Sequence, residues 1–346
     1  MLSKKEKYIL RSIIVPSEDD PSKPEFPPEH PRFPATPTYK ISVPGFSNVW
    51  LKDESVNPTG THKDRMAWEM VVTYNLFLKR KQKENWIKKL PELSLLSSGS
   101  AALAIQYRLR EYSLPSLRVL MSADSDQRIT NFLKQIGCKI FLHPLSREVL
   151  TWRDILRLTK NPHGFDVTSN TAFDPTLRFY DWMSYEILAS RADYVLVPYG
   201  TGQLYETILN IAKREVTSPR HDPRFQSTVP TVARTHFLGA TTTNPRTRAD
   251  KLYAPYLPFA GYNEQWIRFY RMAGFCGKDS QVWNIQELHL DQARKIAHAQ
   301  KITAEPSGLA GLALLLQLKN QLPRSKKYLI VNTGHTKLPF DLYHSV

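Results

Sequence analysis

Cysteine and long apolar runs are both scarce in this sequence. Its 346 residues include two cysteines, Cys138 and Cys276, too few for a disulfide framework or a cysteine-based structural metal site. No stretch approaches the roughly eighteen consecutive apolar residues that a membrane-spanning helix needs, and the opening MLSKKEKYIL lacks the apolar segment of a secretory signal. No spacing of His, Cys, Asp and Glu indicates a transition-metal site. We therefore expect a cytoplasmic protein with no membrane partner and no metal.

Acidic residues are also fewer than basic residues. The chain has 47 Lys and Arg against 32 Asp and Glu, a formal net charge of +15. This charge attracts phosphate-bearing ligands, nucleic acid or an acidic partner. The densest basic cluster, residues 79–89, lies at the end of a predicted helix, where the helix dipole favours cations. We interpret that cluster as a solvated helix end, so nucleic acid is a possible but not a favoured partner.

Proline is concentrated before the regular part of the chain. Residues 16–37 contain eight prolines, which fix backbone angles and remove hydrogen-bond donors, so we predict an irregular N-terminal arm over residues 1–35. Strand-like and helix-like segments then alternate, which predicts an α/β fold with parallel sheets and right-handed crossovers. Such sheets bind ligands at the carboxyl ends of their strands. Residues 241–285 give no clean pattern.

The first candidate strand-end loop is KDESVNPTGTHKDR. Asn57 and Gly60 suit a tight turn, and Lys63 stands just before a predicted helix over 64–80. A lysine at this place lies near the positive end of the helix dipole, which disfavours its charged form. Lys63 is therefore a candidate amine nucleophile for a Schiff base. A solvated lysine beside Asp64 explains the local sequence equally well.

Two further loops are candidate anion pockets. In LLSSGSAALAIQ a strand enters a helix through small hydroxyl residues, which together with the first helical amides suit a carboxylate or phosphate. These residues are Ser97, Ser98, Gly99 and Ser100. Ordinary helix capping by one of the serines is the alternative. In VLVPYGTGQLYETI, Gly200 and Gly202 allow backbone amides to approach an anion, and Thr201 adds a hydroxyl. This loop matches neither the dinucleotide fingerprint nor a P-loop.

The fourth feature combines AEPSGLAGLALLL with YLIVNTGHTK. Pro306 suits a first helical turn, and Thr333 lies at a strand end where its hydroxyl can meet a ligand. Glu305 is either a ligand contact or a simple carboxylate at the start of a helix.

In this order, KDESVNPTGTHKDR, SSGSAALA, VPYGTGQL, EPSGLAGLA and VNTGHTK resemble the characteristic segments of pyridoxal-phosphate enzymes of fold type II. That group includes threonine synthase, threonine and serine dehydratases, cysteine synthase and the tryptophan synthase β subunit. The resemblance covers about residues 36–337. It implies two α/β domains of parallel-type sheets flanked by helices, with the cofactor in the interdomain cleft. We assign 36–90 and 176–346 to a larger cofactor-binding domain and 91–175 to a smaller substrate-side domain.

The resemblance also implies roles for individual residues. Lys63 would bind the cofactor aldehyde as an internal aldimine and then act as general base. The phosphate would be held by Gly200, Thr201, Gly202 and Gln203. The serine loop, Ser97, Ser98, Gly99 and Ser100, would bind the substrate carboxylate, with Ser100 also near the cofactor's 3-oxygen. Thr333 would face the pyridine nitrogen. We expect His62 to contact the phosphate or to pack rather than to transfer protons, and Glu305 to contact a substrate amino or leaving group.

Three residues depart from the family pattern. Ser100 stands where asparagine is usual, Gln203 where the phosphate loop carries glycine or asparagine, and Thr336 where glycine is common. These departures indicate an unusual substrate or weakened catalysis.

The resemblance implies β-elimination or β-replacement on a small amino acid by a pyridoxal-phosphate enzyme. The EPSG and NTGH segments favour the threonine synthase and dehydratase branch, and relatives are commonly homodimers. The alternative is a catalytically weakened cofactor-binding or regulatory protein, or a basic nucleic-acid-associated protein, on the same scaffold.

Overall fold

The computed structural model describes residues 33–84, 90–145, 150–168, 179–217, 229–253 and 263–339. Most of the predicted proline-rich arm and part of the basic cluster, residues 1–32 and 85–89, lie outside the described residues. The described residues form two compact units. One contains Phe33, residues 63–168 and Phe179, and the other contains residues 34–62, 180–253 and 263–339.

The described strands and helices alternate along most of the chain. The strands are β1 (Thr38–Val43), β2 (Phe46–Asp53), β3 (Leu93–Leu96), β4 (Arg118–Ser122), β5 (Lys139–His143), β6 (Phe165–Asp166), β7 (Tyr194–Pro198), β8 (His236–Thr241), β9 (Gln281–Asn284) and β10 (Tyr328–Asn332). The α-helices are α1 (Lys63–Glu84), α2 (Ser100–Glu111), α3 (Gln127–Gln135), α4 (Trp152–Leu158), α5 (Asp181–Ala189), α6 (Gln203–Thr217), α7 (Val229–Val232), α8 (Asn263–Met272), α9 (Glu287–Ala299) and α10 (Ala310–Gln317). Two 3₁₀ turns span Asp250–Leu252 and Pro306–Leu309.

The larger unit contains a six-stranded sheet in the order β1-β2-β10-β7-β8-β9. Every neighbouring pair is parallel except β1 and β2, which form an antiparallel hairpin at one edge. The inner strands β7 and β10 are buried at every position and are apolar except at Asn332, as expected for parallel strands that are covered on both faces. Helices α9 and α10 supply much of this core.

The last strand occupies the centre of this sheet. Strand β10 lies between β2 and β7, with Asn332 opposite Asp53 and Ile330 opposite Leu196. The carboxyl ends of β2, β10 and β7 therefore meet at one edge of the sheet, although about 280 residues of sequence separate β2 from β10. Three of the loops that the sequence singled out follow these three neighbouring strands.

The smaller unit contains a four-stranded parallel sheet in the order β5-β4-β3-β6. Helices α1 and α2 pack against each other in this unit, and the ring of Trp68 on α1 lies 6.3 Å from that of Phe33. The sequence analysis gave residues 36–90 to the larger domain, whereas the contacts of α1 group it with the four-stranded sheet.

Two segments differ from the sequence-based prediction. The segment from Pro306, which was expected to open a helix, begins as a 3₁₀ turn and becomes α10 only at Ala310, since Pro306 and Gly308 occupy its start. Residues 241–285, which gave no pattern, contain a 3₁₀ turn, α8 and β9. Strand β9 has four residues, too few for a visible alternation. No helix among the described residues is long and apolar enough to cross a membrane.

Candidate active site

The turn before Lys63 is held by a buried asparagine. Asn57 accepts a hydrogen bond from Gly60 N at 2.9 Å, and its Nδ2 donates to Glu54 Oε2 at 2.8 Å and to Thr61 O at 3.0 Å. Asn57 and Glu54 are almost completely buried. Because the side chain bonds the chain before and after the turn, Asn57 fixes the path from β2 to the start of α1.

Two glycines allow this turn to pack against the loop after β10. Gly60 has a φ of +88°, and a Cβ built on it would lie 2.0 Å from His335 O. Gly334 has a φ of +106°, and a Cβ built there would lie 2.1 Å from Gly60 O. Side chains at either position would collide with backbone, so the close approach requires glycine on both sides.

The residues just before Lys63 are paired with the end of the chain's last strand. Thr61 forms an antiparallel bridge with Gly334, and His62 N donates to Thr333 O at 3.0 Å. Lys63 follows as the first residue of α1. The backbone just before Lys63 is therefore anchored at the carboxyl end of β10. This anchor fixes the point at which the chain passes from the six-stranded unit into α1.

His62 packs beside this bridge. Its Nδ1 lies 3.3 Å from Thr333 O, and its ring centroid lies 5.3 Å from that of Tyr180. Burial, together with the nearby Glu54 carboxylate, raises the pKa of Tyr180. His62 thus lies against the end of β10, and its predicted role, a phosphate contact or packing, stays a prediction.

Thr333 is buried and its hydroxyl is not used within the described part of the chain. Its carbonyl accepts from His62, but Oγ1 forms no hydrogen bond with any described residue. A buried hydroxyl usually has a partner. Thr333 Oγ1 is thus a donor and acceptor that suits a ligand at the carboxyl end of β10.

The glycine loop, residues 200–203, connects β7 to α6. Gly202 has a φ of +82°, and Glu206 N donates to Gly202 O at 2.8 Å as the helix begins. A Cβ built on Gly200 would lie 2.5 Å from Lys251 O, so this position also requires glycine. The first amides of a helix have no intrahelical acceptor, and the dipole makes this end positive. The loop has the geometry of an anion site, with Thr201 and Gln203 as its side chains.

Carboxyl groups next to the glycine loop are biased towards their neutral form. Burial raises the pKa of Glu206, which lies in the first turn of α6. Burial also raises the pKa of Asp250, although its side chain keeps contact with solvent and Lys251 opposes the shift. Protonation of these groups reduces their repulsion of an anion in the loop.

Glu305 is engaged inside the larger unit. It is 4 % exposed, and its Oε2 lies 2.5 Å from Lys251 Nζ, 3.3 Å from Thr336 N and 3.2 Å from Thr336 Oγ1. Its predicted contact with a substrate amino or leaving group stays a prediction. Lys251 was missed from the sequence, because it lies in the segment that showed no pattern.

The serine loop, residues 97–100, belongs to the four-stranded unit. It connects β3 to α2, with Ser97 Oγ accepting from Gly99 N at 3.1 Å. Gly99 is the N-cap residue of α2, has a φ of +140°, and no side chain caps this helix. The alternative reading, in which a serine caps the helix, is therefore wrong. Ser98 and Ser100 form no hydrogen bond through their hydroxyls within the described residues.

Among the residues that the structure describes, no group of three His, Cys, Asp or Glu side chains is arranged to hold a metal ion.

The comparisons with known proteins agree with this geometry. A family model described as pyridoxal-phosphate dependent enzyme matches residues 32–334. No curated protein matches the chain. A solved structure of threonine deaminase isoform 2 from Solanum lycopersicum is similar at 14 % identity, covering 98 % of this chain and 92 % of that chain with a TM-score of 0.61.

Two other solved structures illustrate the range of chemistry on the same fold. The O-acetylserine-dependent cystathionine β-synthase from Helicobacter pylori is similar at 14 % identity, covering 90 % of this chain and 97 % of that chain with a TM-score of 0.63. The serine racemase from maize is similar at 19 % identity, covering 85 % and 84 %, with a TM-score of 0.58. These likenesses confirm the predicted α/β fold and leave the reaction open.

Proposed function

This chain belongs to the family of pyridoxal-phosphate-dependent enzymes, and from that premise we propose that it catalyses β-elimination or β-replacement on a small amino acid. The observation that carries the proposal is the meeting of three loops after the adjacent strands β2, β10 and β7. Those loops bring the turn that precedes Lys63, a hydroxyl without a partner among the described residues and a helix-start anion loop to one edge of a sheet.

The residues present fit pyridoxal phosphate. The glycine loop packs closely against the backbone of Lys251 at Gly200, and it ends at the positive pole of α6, which suits a phosphate. Thr333 Oγ1 suits a ring nitrogen, and Lys63 supplies the amine. When bound, the cofactor draws electrons from the substrate α-carbon and so makes its proton acidic.

Lys63 has two tasks in this proposal. It is the first residue of α1, and its amine is assigned both the attachment to the cofactor aldehyde and the acceptance of the substrate α-proton. Thr333 supplies a neutral hydroxyl where a carboxylate would hold the ring nitrogen protonated. That choice supports loss of a β-substituent.

The serine loop has the donors for the substrate carboxylate. Ser98, Ser100 and the first amides of α2 are a neutral set with a positive helix end, as a carboxylate requires. Ser100 is the residue in this set that departs from the family pattern, so it is the position where an unusual substrate side chain is most readily explained.

The test begins with the cofactor. Purified wild-type protein should show the visible absorbance of pyridoxal phosphate bound to a lysine, and Lys63→Ala should lack it. Lys295→Ala is the matched control, because Lys295 is an exposed lysine on α9. Covalent absorbance that persists in Lys63→Ala would remove Lys63 from its assigned role.

The reaction is tested with serine, threonine and O-activated amino acids. Formation of a keto acid supports elimination, and incorporation of an added nucleophile supports replacement. Inversion of the α-carbon without loss of a substituent would instead make the chain a racemase. An unchanging spectrum together with salt-sensitive nucleic-acid binding would favour the weakened or nucleic-acid-associated alternative.

A cytoplasmic location and a homodimer complete the proposal, since fold type II enzymes are commonly dimers. Light scattering after size exclusion measures the assembly directly, and a monomer that turns over substrate would remove the dimer from the proposal.

A further inference from the structure

Lys251, Glu305 and Thr336 form a buried polar cluster in the larger unit, which we call the Lys251 clamp. Lys251 Nζ lies 2.5 Å from Glu305 Oε2 and 2.7 Å from Thr336 Oγ1. The side chains of Lys251 and Glu305 are only 17 % and 5 % exposed. Separating the two charges of a mostly buried ion pair leaves each charge without compensation, which is unfavourable. The pair therefore favours the geometry in which the two groups stay in contact.

The clamp joins three separate segments of the chain. Lys251 N donates to Ser307 Oγ at 3.2 Å, which ties the 3₁₀ turn Asp250–Leu252 to the turn after Glu305. Glu305 N donates to Gly334 O at 3.0 Å, and Thr336 N donates to Glu305 Oε2 at 3.3 Å. The loop after β10 is thereby held on both sides of Gly334.

The other end of the clamp touches the glycine loop. A Cβ placed on Gly200 would lie 2.5 Å from Lys251 O and 3.6 Å from Leu252 Cα, so the backbone of the 3₁₀ turn forms one wall of that loop. The same lysine thus contacts the glycine loop through its backbone and the residues that follow Thr333 through its side chain.

The clamp also determines what Glu305 can bind. Its Oε2 receives the Lys251 ammonium together with the amide and hydroxyl of Thr336. A carboxylate oxygen has two lone pairs, so Oε2 has no capacity left for a further donor, and Oε1 is the oxygen that keeps acceptor capacity.

We propose that Lys251 is a positioning residue that fixes the glycine loop relative to Thr333 through Glu305 and Thr336. This inference rests on the proposed function, which assigns both loops to the cofactor. Lys251 would affect the binding of the phosphate and ring of pyridoxal phosphate. It is not assigned a contact with the reacting atoms.

The test compares cofactor affinity among variants of the full-length protein. Lys251→Met keeps the side-chain stem and removes the ammonium, and the double variant with Glu305→Gln removes both charges so that no charge stays buried alone. Apoprotein is titrated with pyridoxal phosphate by tryptophan fluorescence, and melting temperatures are recorded with and without cofactor. Arg248→Met is the matched control, because Arg248 is three residues away and forms exposed ion pairs with Glu287 and Asp291.

We expect the cofactor dissociation constant to rise at least tenfold in Lys251→Met and in the double variant, and to stay within twofold in Arg248→Met. The melting temperature of the apoprotein should fall in Lys251→Met and recover in the double variant. Where Lys251→Met fails to fold, the double variant decides the outcome. This separation of stability from cofactor affinity would not arise from a purely structural role.

Unchanged cofactor affinity in the folded double variant overturns the inference, and so does an equal loss in Arg248→Met. The single variant Glu305→Gln provides an additional test. If it leaves cofactor affinity intact, Glu305 does not hold the glycine loop and the inference is wrong. Failure of the proposed function is recognised separately, since Lys63→Ala would then retain the covalent absorbance.

Discussion

One buried carboxylate cluster in the six-stranded unit and one buried carboxyl group in the four-stranded unit have different surroundings. In the larger unit, Lys52 Nζ lies 2.5 Å from Glu186 Oε2 and 3.7 Å from Glu54 Oε1, and all three side chains are largely buried. In the smaller unit, Asp166 is 3 % exposed, and its Oδ2 has no hydrogen-bond partner among the described residues. Charge is therefore compensated around Lys52, whereas Asp166 Oδ2 has no hydrogen-bond partner among the described residues.

The glycine loop and the serine loop also differ in the groups that they pack against and in their exposure. The glycine loop is walled by the backbone of Lys251, and Gly202 and Gln203 are buried. The serine loop meets a side-chain methyl, since a Cβ on Gly99 would lie 3.1 Å from Ile129 Cγ2, and Ser98 is exposed. A loop fixed by backbone and ion pairs suits a resident cofactor, and a more exposed loop suits a ligand that exchanges.

The largest expected effect tests the compensated charges of the six-stranded unit. Lys52→Met leaves Glu54 and Glu186 buried without their cation, so the free energy of unfolding should fall by as much as about 5 kcal/mol. Denaturant unfolding followed by circular dichroism measures the change. Lys40→Met on β1 is the control, because Lys40 is exposed and should change stability by less than about 0.5 kcal/mol. Equal stability of both variants would mean that the buried cluster contributes nothing.

The second prediction concerns the uncompensated Asp166. Burial raises its pKa to about 7, although hydrogen bonds from Thr168 oppose the shift. The folded chain therefore binds a proton that the unfolded chain has lost, so stability falls as pH rises from about 4 to about 7. Asp166→Asn removes this loss and should stabilise the protein at pH 8 by up to about 4 kcal/mol, with little change at pH 4.

Asp126 provides the matched control for that pH profile. It is the N-cap of α3 in the same unit, and its hydrogen bonds with Arg128 lower the pKa of its carboxyl. Asp126→Asn should change stability slightly and in the opposite direction above pH 4, because this carboxylate is favoured in the fold. Melting temperatures of the three proteins between pH 4 and pH 8 give the comparison. A wild-type profile that is parallel to that of Asp166→Asn would show that Asp166 titrates normally.

The third prediction separates the two loops. Gly200→Ala forces a Cβ towards Lys251 O, so we expect the dissociation constant for pyridoxal phosphate to rise about a hundredfold, which corresponds to about 2.7 kcal/mol. Ser98→Ala in the serine loop should leave that constant unchanged and raise the KM of the amino acid. Equilibrium titration and steady-state kinetics measure the two quantities.

Gly45→Ala is the control for the glycine substitution. Gly45 has a φ of +90° with nothing within 4 Å of an added Cβ, so this variant loses about 1 kcal/mol of stability through backbone strain and keeps its cofactor affinity. If Gly45→Ala and Gly200→Ala weaken cofactor binding equally, the wall at Lys251 is not the cause.

Local sequence was sufficient for most of the strands and helices. The helix predicted over 64–80 is observed as Lys63–Glu84, because apolar spacing and turn residues are local signals. Strand β9 and helix α8 were missed, since a strand of four residues carries no resolvable period. The partner of Glu305 was missed for a different reason: an ion pair between residues 54 positions apart leaves no pattern in the chain.

The sequence alone determined the alternating α/β architecture, the cofactor family and the segments that carry Lys63, the glycine loop and Thr333, because each depends on neighbours along the chain. The tertiary structure decided that β10 enters the sheet between β2 and β7, that Gly60 and Gly334 meet backbone to backbone, and that Lys251 engages Glu305. Those arrangements come from pairing and packing between distant residues, whose free energies depend on the folded neighbours and not on local spacing.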